Sequence, residues 1–156
     1  MALPHRLIGR AARLWWRLRK LRTLGVRALV LDRDSRVALV RHTYIGQWYL
    51  PGGGVKKGES VEDALRRELA EEVALHEVTI ERLLGVYHSR REAKDDHIVI
   101  FVVRAELDPT ALRPADALEI AEAGWFALDA LPTGLSPATA SRIAEYRAGE
   151  TGTGAW

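Results

Sequence analysis

Cysteine is absent from this 156-residue chain, and its one methionine is Met1. The missing thiols exclude disulfide staples, Cys-ligated zinc, iron–sulfur clusters and thiol nucleophiles. They are compatible with a reducing cytoplasm, the compartment expected here. No apolar run approaches the roughly 20 residues needed to span a bilayer, and no repeat or low-complexity segment is present. Acidic residues are missing from the first 31 positions, which hold Arg6, Arg10, Arg13, Arg17, Arg19, Lys20, Arg22 and Arg27; the first acid is Asp32. The formal net charge of the whole chain is +2, so an acidic body carries a basic N-terminal arm. At about 150 residues per domain the length allows one domain. A hydrophobic share of 47% is enough for a core without staples.

The arm reads as an amphipathic helix. Leu7, Ile8, Ala11, Leu14, Trp15, Leu18 and Leu21 recur at three- and four-residue steps, with arginines filling the other face. Those arginines break every stretch long enough for a secretory signal, and the arm lacks the serines of a transit peptide. The Leu/Trp stripe suits packing on the domain or on a twin subunit, which would make a homodimer. Contact of the basic face with nucleic acid or a membrane surface is the alternative. The expected organisation is an arm over residues 1–24, a folded domain over 25–149 and a frayed tail over 150–156.

Within the body, Gly25–Leu31 and Val37–Arg41 are Val- and Leu-rich runs flanking the turn-forming Asp32-Arg33-Asp34-Ser35, so two strands are predicted. Trp48–Leu50 is a third extended piece, stopped by Pro51-Gly52-Gly53-Gly54. Ser60, with Asp63 three residues on, caps a helix running to about Ala74. Strands follow at Val78–Tyr87 and His97–Leu107. Ile98 to Val103 is apolar throughout, as a strand buried on both faces would be. Residues 108–116 read as a loop, Ala123–Leu128 as a last strand and Pro137–Arg147 as a C-terminal helix.

The helix over 61–74 carries the chemistry. At about 100° per residue, Glu68, Glu71 and Glu72 share one side of it, close to Val61, Leu65 and Leu75. The acids thus interrupt an apolar face. Three like charges beside a core repel one another and lose hydration. A hard divalent cation would compensate them; a solvated acidic face is the other reading. Before the helix stand Gly52, Gly53, Gly54, Lys56, Lys57 and Gly58. Glycines bring a backbone close to a ligand, and lysines meet phosphate as point charges. A glycine loop feeding an acid-faced helix is in outline a phosphate-plus-metal arrangement.

Gly53, Glu59, Arg67, Glu68, Leu69, Glu71, Glu72 and Leu75 match the spacing of the Nudix box, G-x5-E-x7-R-E-U-x-E-E-x-G-U with U aliphatic. Such a match arises by chance in fewer than roughly one in a million chains of this length. The body therefore resembles the Nudix hydrolase (MutT-like) family over about residues 25–147. Trp48 to Gly53 ahead of the box, and Trp125-Phe126 with Leu131-Pro132 after it, extend the resemblance. One position departs: Ala74 stands where the family has a second glycine, at the helix exit. If a left-handed backbone is required there, alanine should cost on the order of 1 kcal/mol.

The resemblance implies an α/β/α sandwich around a mixed sheet, here with the N-terminal amphipathic helix added. It implies hydrolysis of a nucleoside diphosphate linked to another moiety, by water attack on phosphorus. Glu68, Glu71 and Glu72 resemble the carboxylates that bind Mg²⁺ or Mn²⁺, with the Gly52 carbonyl a further ligand. Arg67 resembles the residue that orients a glutamate, and Gly53 and Glu59 part of the bracing at the loop–helix junction. Glu119, six residues before Trp125, is the candidate for a remote ligand or base, with Glu122 its rival. Arg41 at a strand end is read as a phosphate contact and Trp48 as a base-stacking ring. His42, His88 and His97 are read as pocket-edge or core residues. The residues after the box carry neither the proline of the ADP-ribose type nor the tyrosine of the dinucleoside-polyphosphate type, and the coenzyme A signature is missing upstream. Absence of these markers excludes little, and a nucleoside triphosphate or a small nucleotide-diphosphate conjugate stays open. A basic-arm enzyme removing a 5′ pyrophosphate from RNA, and a nucleotide-sensing module without catalysis, are the alternatives. The second should have lost box glutamates, and all are present.

Overall fold

The computed structural model describes residues 22–90, 95–106 and 111–156. Residues 1–21 of the N-terminal arm lie outside the described residues, and with them the helix and dimer expected there. Strand β1 (Arg22–Leu31) runs through the middle of a seven-stranded mixed sheet. It pairs in parallel with β5 (Asp95–Ala105), which pairs antiparallel with β4 (Val78–Ser89). At its far end β1 turns into β2 (Val37–His42), which pairs antiparallel with β3 (Trp48–Tyr49) and β6 (Ile120–Phe126).

Side chains alternate across β1 as the strand pleat requires. Val26, Ala28 and Val30 join Ala64, Leu65, Leu69 and Val73 of helix α1 (Val61–Val73) in one core cluster. Leu29 and Leu31 join Ile143 of helix α2 (Pro137–Ala148) in another. A helix thus covers each face of the sheet. β5 supplies Phe101 and Val103 to the first cluster and Ile98, Ile100 and Val102 to the second, which explains its unbroken apolar run. The β1–β2 turn closes on Asp32, whose buried carboxylate accepts from the Asp34 and Arg36 N–H groups (2.9 and 2.8 Å) and from Arg36 Nε (2.7 Å).

Several boundaries differ from the sequence reading. β1 begins at Arg22, so the division at residue 24 falls inside a strand, held by pairing of Arg22 to Leu24 with Asp95 to His97. β6 starts at Ile120 and ends at Phe126, because the buried Ile120 pairs with His42 across a bulge. The tail read as frayed contains β7 (Gly152–Ala155), which lies parallel to β4 at the sheet edge. It is held by backbone pairing, by the Trp156 N–H donating to the His88 carbonyl (2.9 Å) and by Arg142 Nη1 donating to the Ala155 carbonyl (2.8 Å). A Gly/Thr strand of that kind shows no apolar period. Among the described residues no helix is long and apolar enough to cross a membrane.

α1 starts as expected: Ser60 Oγ accepts from the Asp63 N–H (3.1 Å). It ends with Ala74 in the left-handed conformation at φ 59°, the strained exit that the alanine in the box foreshadows. The Arg113 and Ala115 N–H groups then donate to the Val73 and Glu72 carbonyls (3.3 and 3.0 Å), folding the 111–116 segment over the helix end. Ala74→Gly should therefore raise stability by up to about 1 kcal/mol, a few degrees in a melting curve. An unchanged or lowered melting point would show that the Ala74 methyl contributes more by packing than it loses by strain.

Candidate functional site

The Pro51–Val55 segment lies along β1 opposite β5. The Val26 N–H donates to the Gly53 carbonyl (2.8 Å), the Ala28 N–H to the Pro51 carbonyl (2.9 Å) and the Val55 N–H to the Leu24 carbonyl (2.8 Å). At Gly52, φ is +137°, and a Cβ would lie 2.2 Å from the Val26 carbonyl oxygen. No side chain fits there. At Gly53 a Cβ would lie 2.6 Å from the Glu68 carboxylate atoms. At Gly53 the loop and the helix thus meet through the Glu68 carboxylate resting on a bare backbone.

Arg67 fastens that contact. Its Nε and Nη2 hold the two Glu59 oxygens (2.7 and 2.9 Å), its Nη1 holds Glu68 (2.7 Å) and Glu71 (3.0 Å), and Nη2 also donates to the Gly54 carbonyl (3.0 Å). The planar guanidinium is suited to such a fork. Arg67, with help from the Lys56 N–H, holds the Glu59 carboxyl down to about 2. Glu71 leans outward, its side chain 56% exposed, while that of Glu68 is 14% exposed.

Glu72 is 4% exposed and accepts the Gly52 N–H (2.8 Å). Burial pushes its carboxyl up to about 7, with Glu68 and Glu119 pushing the same way and Arg27 and the Gly52 N–H opposing. His42 and Glu119 reach the same point: one donor atom from each of His42, Glu72 and Glu119 lies within 4.8 Å of the others. The Thr43 N–H donates to the Glu119 carbonyl (2.9 Å), which fixes this approach. Burial, then the Arg27 charge, hold His42 below the ordinary histidine range. Its Nδ1 is buried without a hydrogen-bond partner among the described residues. A buried orphan nitrogen beside two carboxylates, with Glu68 near the same loop, is a donor set that fits a divalent cation.

A cleft of about 300 Å³ opens beside this loop, lined among others by Arg27, Gly53, Gly54, Ser89, Asp96 and Trp156. Arg27 Nη1 donates to the Leu50 carbonyl (2.9 Å). Asp96 Oδ1 is buried with no hydrogen-bond partner among the described residues. Arg41 and Trp48 do not line this cleft. Arg41 is paired with Glu122 (2.5 Å) and lies over the Trp48 ring, which meets Phe126 edge-on at 5.0 Å. Sequence reasoning missed Arg27, Asp96 and Trp156 at the cleft and His42 at the carboxylates.

A profile of the NUDIX domain matches residues 21–146. The chain belongs to the NUDIX family. A NUDIX relative from Bacillus subtilis (strain 168), provisionally named 8-oxo-dGTP diphosphatase, is 28% identical over 127 residues, 81% of each chain. The ADP-ribose pyrophosphatase of Methanocaldococcus jannaschii is 32% identical over 106 residues, 66% of this chain and 61% of that one. The crystal structure of the MutT NUDIX hydrolase from Burkholderia pseudomallei superposes with a TM-score of 0.65 at 30% identity, over 78% of this chain and 95% of that one. As a NUDIX protein this chain is a hydrolase of phosphoric anhydride bonds in nucleotide substrates.

The buried Glu72 gives a pH dependence. Its carboxyl lies above the unfolded value, so between pH about 4.5 and about 7 the folded state binds more protons than the unfolded chain. The metal-free protein should lose stability as pH rises through that window. Glu72→Gln keeps the oxygen that accepts from Gly52 and stays neutral. In chelator its stability should match the parent's near pH 4.5 and exceed it above pH 7, by up to about 3 kcal/mol, read from melting curves. A Glu72→Gln variant that melts below the parent at pH 8 in chelator would contradict this.

Proposed function

We propose that the protein is a divalent-cation-dependent pyrophosphohydrolase that cleaves a nucleoside diphosphate linked to another moiety, either a nucleoside triphosphate or a small nucleotide conjugate. The observation that carries this is the joining of Glu68 and Glu72 to the Gly52–Gly54 loop, whose Gly53 and Gly54 also line a cleft large enough for a nucleoside. Glu68, Glu72 and the Gly52 carbonyl would hold Mg²⁺ or Mn²⁺, with Glu71 at the outer edge. When bound, the cation neutralises diphosphate charge and acidifies the attacking water.

The chain's own residues do the rest. Arg67 keeps Glu68 aimed by bonding it and Glu59 together. The Arg27 guanidinium, in the cleft wall, takes a phosphate oxygen. The Trp156 ring offers a face for a base, and the unpaired Asp96 Oδ1 accepts from a base N–H. The Glu119 carboxylate takes the proton released by the attacking water, in the group it forms with His42 and Glu72. Relatives named for 8-oxo-dGTP and ADP-ribose support a purine nucleotide as substrate.

A screen across nucleoside triphosphates, 8-oxo-dGTP and nucleotide-diphosphate conjugates tests this, with the nucleoside monophosphate and pyrophosphate or phosphorylated product separated and measured. Activity should vanish in chelator and return with Mg²⁺ or Mn²⁺. On the accepted substrate, Glu68→Gln and Glu72→Gln should each lose at least ~100-fold in kcat, about 2.7 kcal/mol of barrier. Glu119→Gln should fall between them and the parent. Full turnover in excess chelator would refute the assigned mechanism.

A further inference from the structure

β4 and β5 present opposite sides to two different places. Ser89 and Asp96, partners in the β4–β5 register, line the cleft. Their neighbours His88 and His97 are also register partners. Adjacent residues of a strand point to opposite faces, so His88 and His97 lie on the side away from the cleft. Asp95, two residues before His97, shares that side. β1 stands between this end of β5 and the glycine loop.

The three side chains converge. His88 Nε2 is 2.5 Å from Asp95 Oδ1. The two imidazoles stack with centroids 4.8 Å apart and planes 27° apart. One donor atom from each of His88, Asp95 and His97 lies within 4.8 Å of the others. We propose that these three residues form a second cation site, separate from the box glutamates, that takes Zn²⁺ or a similar borderline cation. Two imidazole nitrogens and a carboxylate oxygen form a set that Zn²⁺ accepts, with a fourth position for water. Mg²⁺ prefers six oxygens and discriminates against it. A tetrahedral shell needs donors about 3.4 Å apart. The side chains have room to rotate toward it, because His97 is exposed and those of His88 and Asp95 are 36% and 38% exposed.

The position gives the site a consequence. A cation joining His88 to His97 and Asp95 clamps the two strands where Ser89 and Asp96 enter the cleft wall. The Trp156 N–H is bonded to the His88 carbonyl, so the same clamp bears on the ring of that wall. The site acts as a staple for the cleft and takes no part in the reaction.

The test is calorimetric titration of the untagged full-length protein with ZnCl₂ after chelator treatment and dialysis, in excess Mg²⁺. One Zn²⁺ per chain should bind with a Kd on the order of 10 μM or tighter, in the parent and in Glu68→Gln alike. His97→Ala and Asp95→Asn should each weaken it at least ~10-fold, with zinc-free melting curves that overlay the parent's. No uptake below ~100 μM Zn²⁺ would overturn the proposal, as would a Kd unmoved by His97→Ala or uptake lost in Glu68→Gln. This readout needs no substrate, so it stands apart from the hydrolase reading.

Discussion

The site depends on a single guanidinium. Arg67 bonds Glu59 twice, Glu68, Glu71 and the Gly54 carbonyl, so it joins the glycine turn, the end of the loop beside the helix cap and the body of the helix. Three carboxylates around one positive charge leave the cluster negative. Glu68 and Glu119 both act on the buried Glu72 carboxyl, so the repulsion extends beyond the fork. Such an arrangement repels itself in the absence of a cation, and the arginine fork keeps it from opening. A lysine at that position would supply the charge but not the four directions.

The second anchor is backbone. The Gly52 N–H holds Glu72, and Gly52 and Gly53 are pressed so closely on Val26 and Glu68 that neither tolerates a side chain without displacement. Because Gly53 is bonded to β1, the sheet dictates where the helix carboxylates stand. β1 also carries Arg27 into the cleft. One strand therefore sets the spacing between the residues that would hold the cation and those that would hold the substrate.

What could be read from the sequence was local. The carboxylates of α1 follow helical spacing, the Ser60 cap lies three residues from its partner, and the αL exit was visible as an alanine where glycine is usual. β5 announced itself by an apolar run that both core clusters use. What could not be read depends on pairing across the chain. His42 meets Glu119 because β2 and β6 pair with a bulge between Arg41 and His42. His88 meets His97 only in a β4–β5 register containing two irregularities. Trp156 reaches the cleft through a Gly/Thr edge strand with no hydrophobic signal. Arg41 at a strand end and Trp48 beside a turn pair instead with Glu122 and Phe126, contacts made across β2, β3 and β6.

The central claim is that the directions of the Arg67 bonds, and not its charge alone, make the glutamates a working site. The most direct measurement is kcat of Arg67→Lys with saturating Mg²⁺ and substrate, beside its melting curve. The account predicts a loss of about 100-fold or more with a cooperative transition near the parent's, because Lys cannot hold Glu59, Glu68 and Gly54 together. A lysine variant within about threefold of the parent would mean that charge suffices, and would contradict the account.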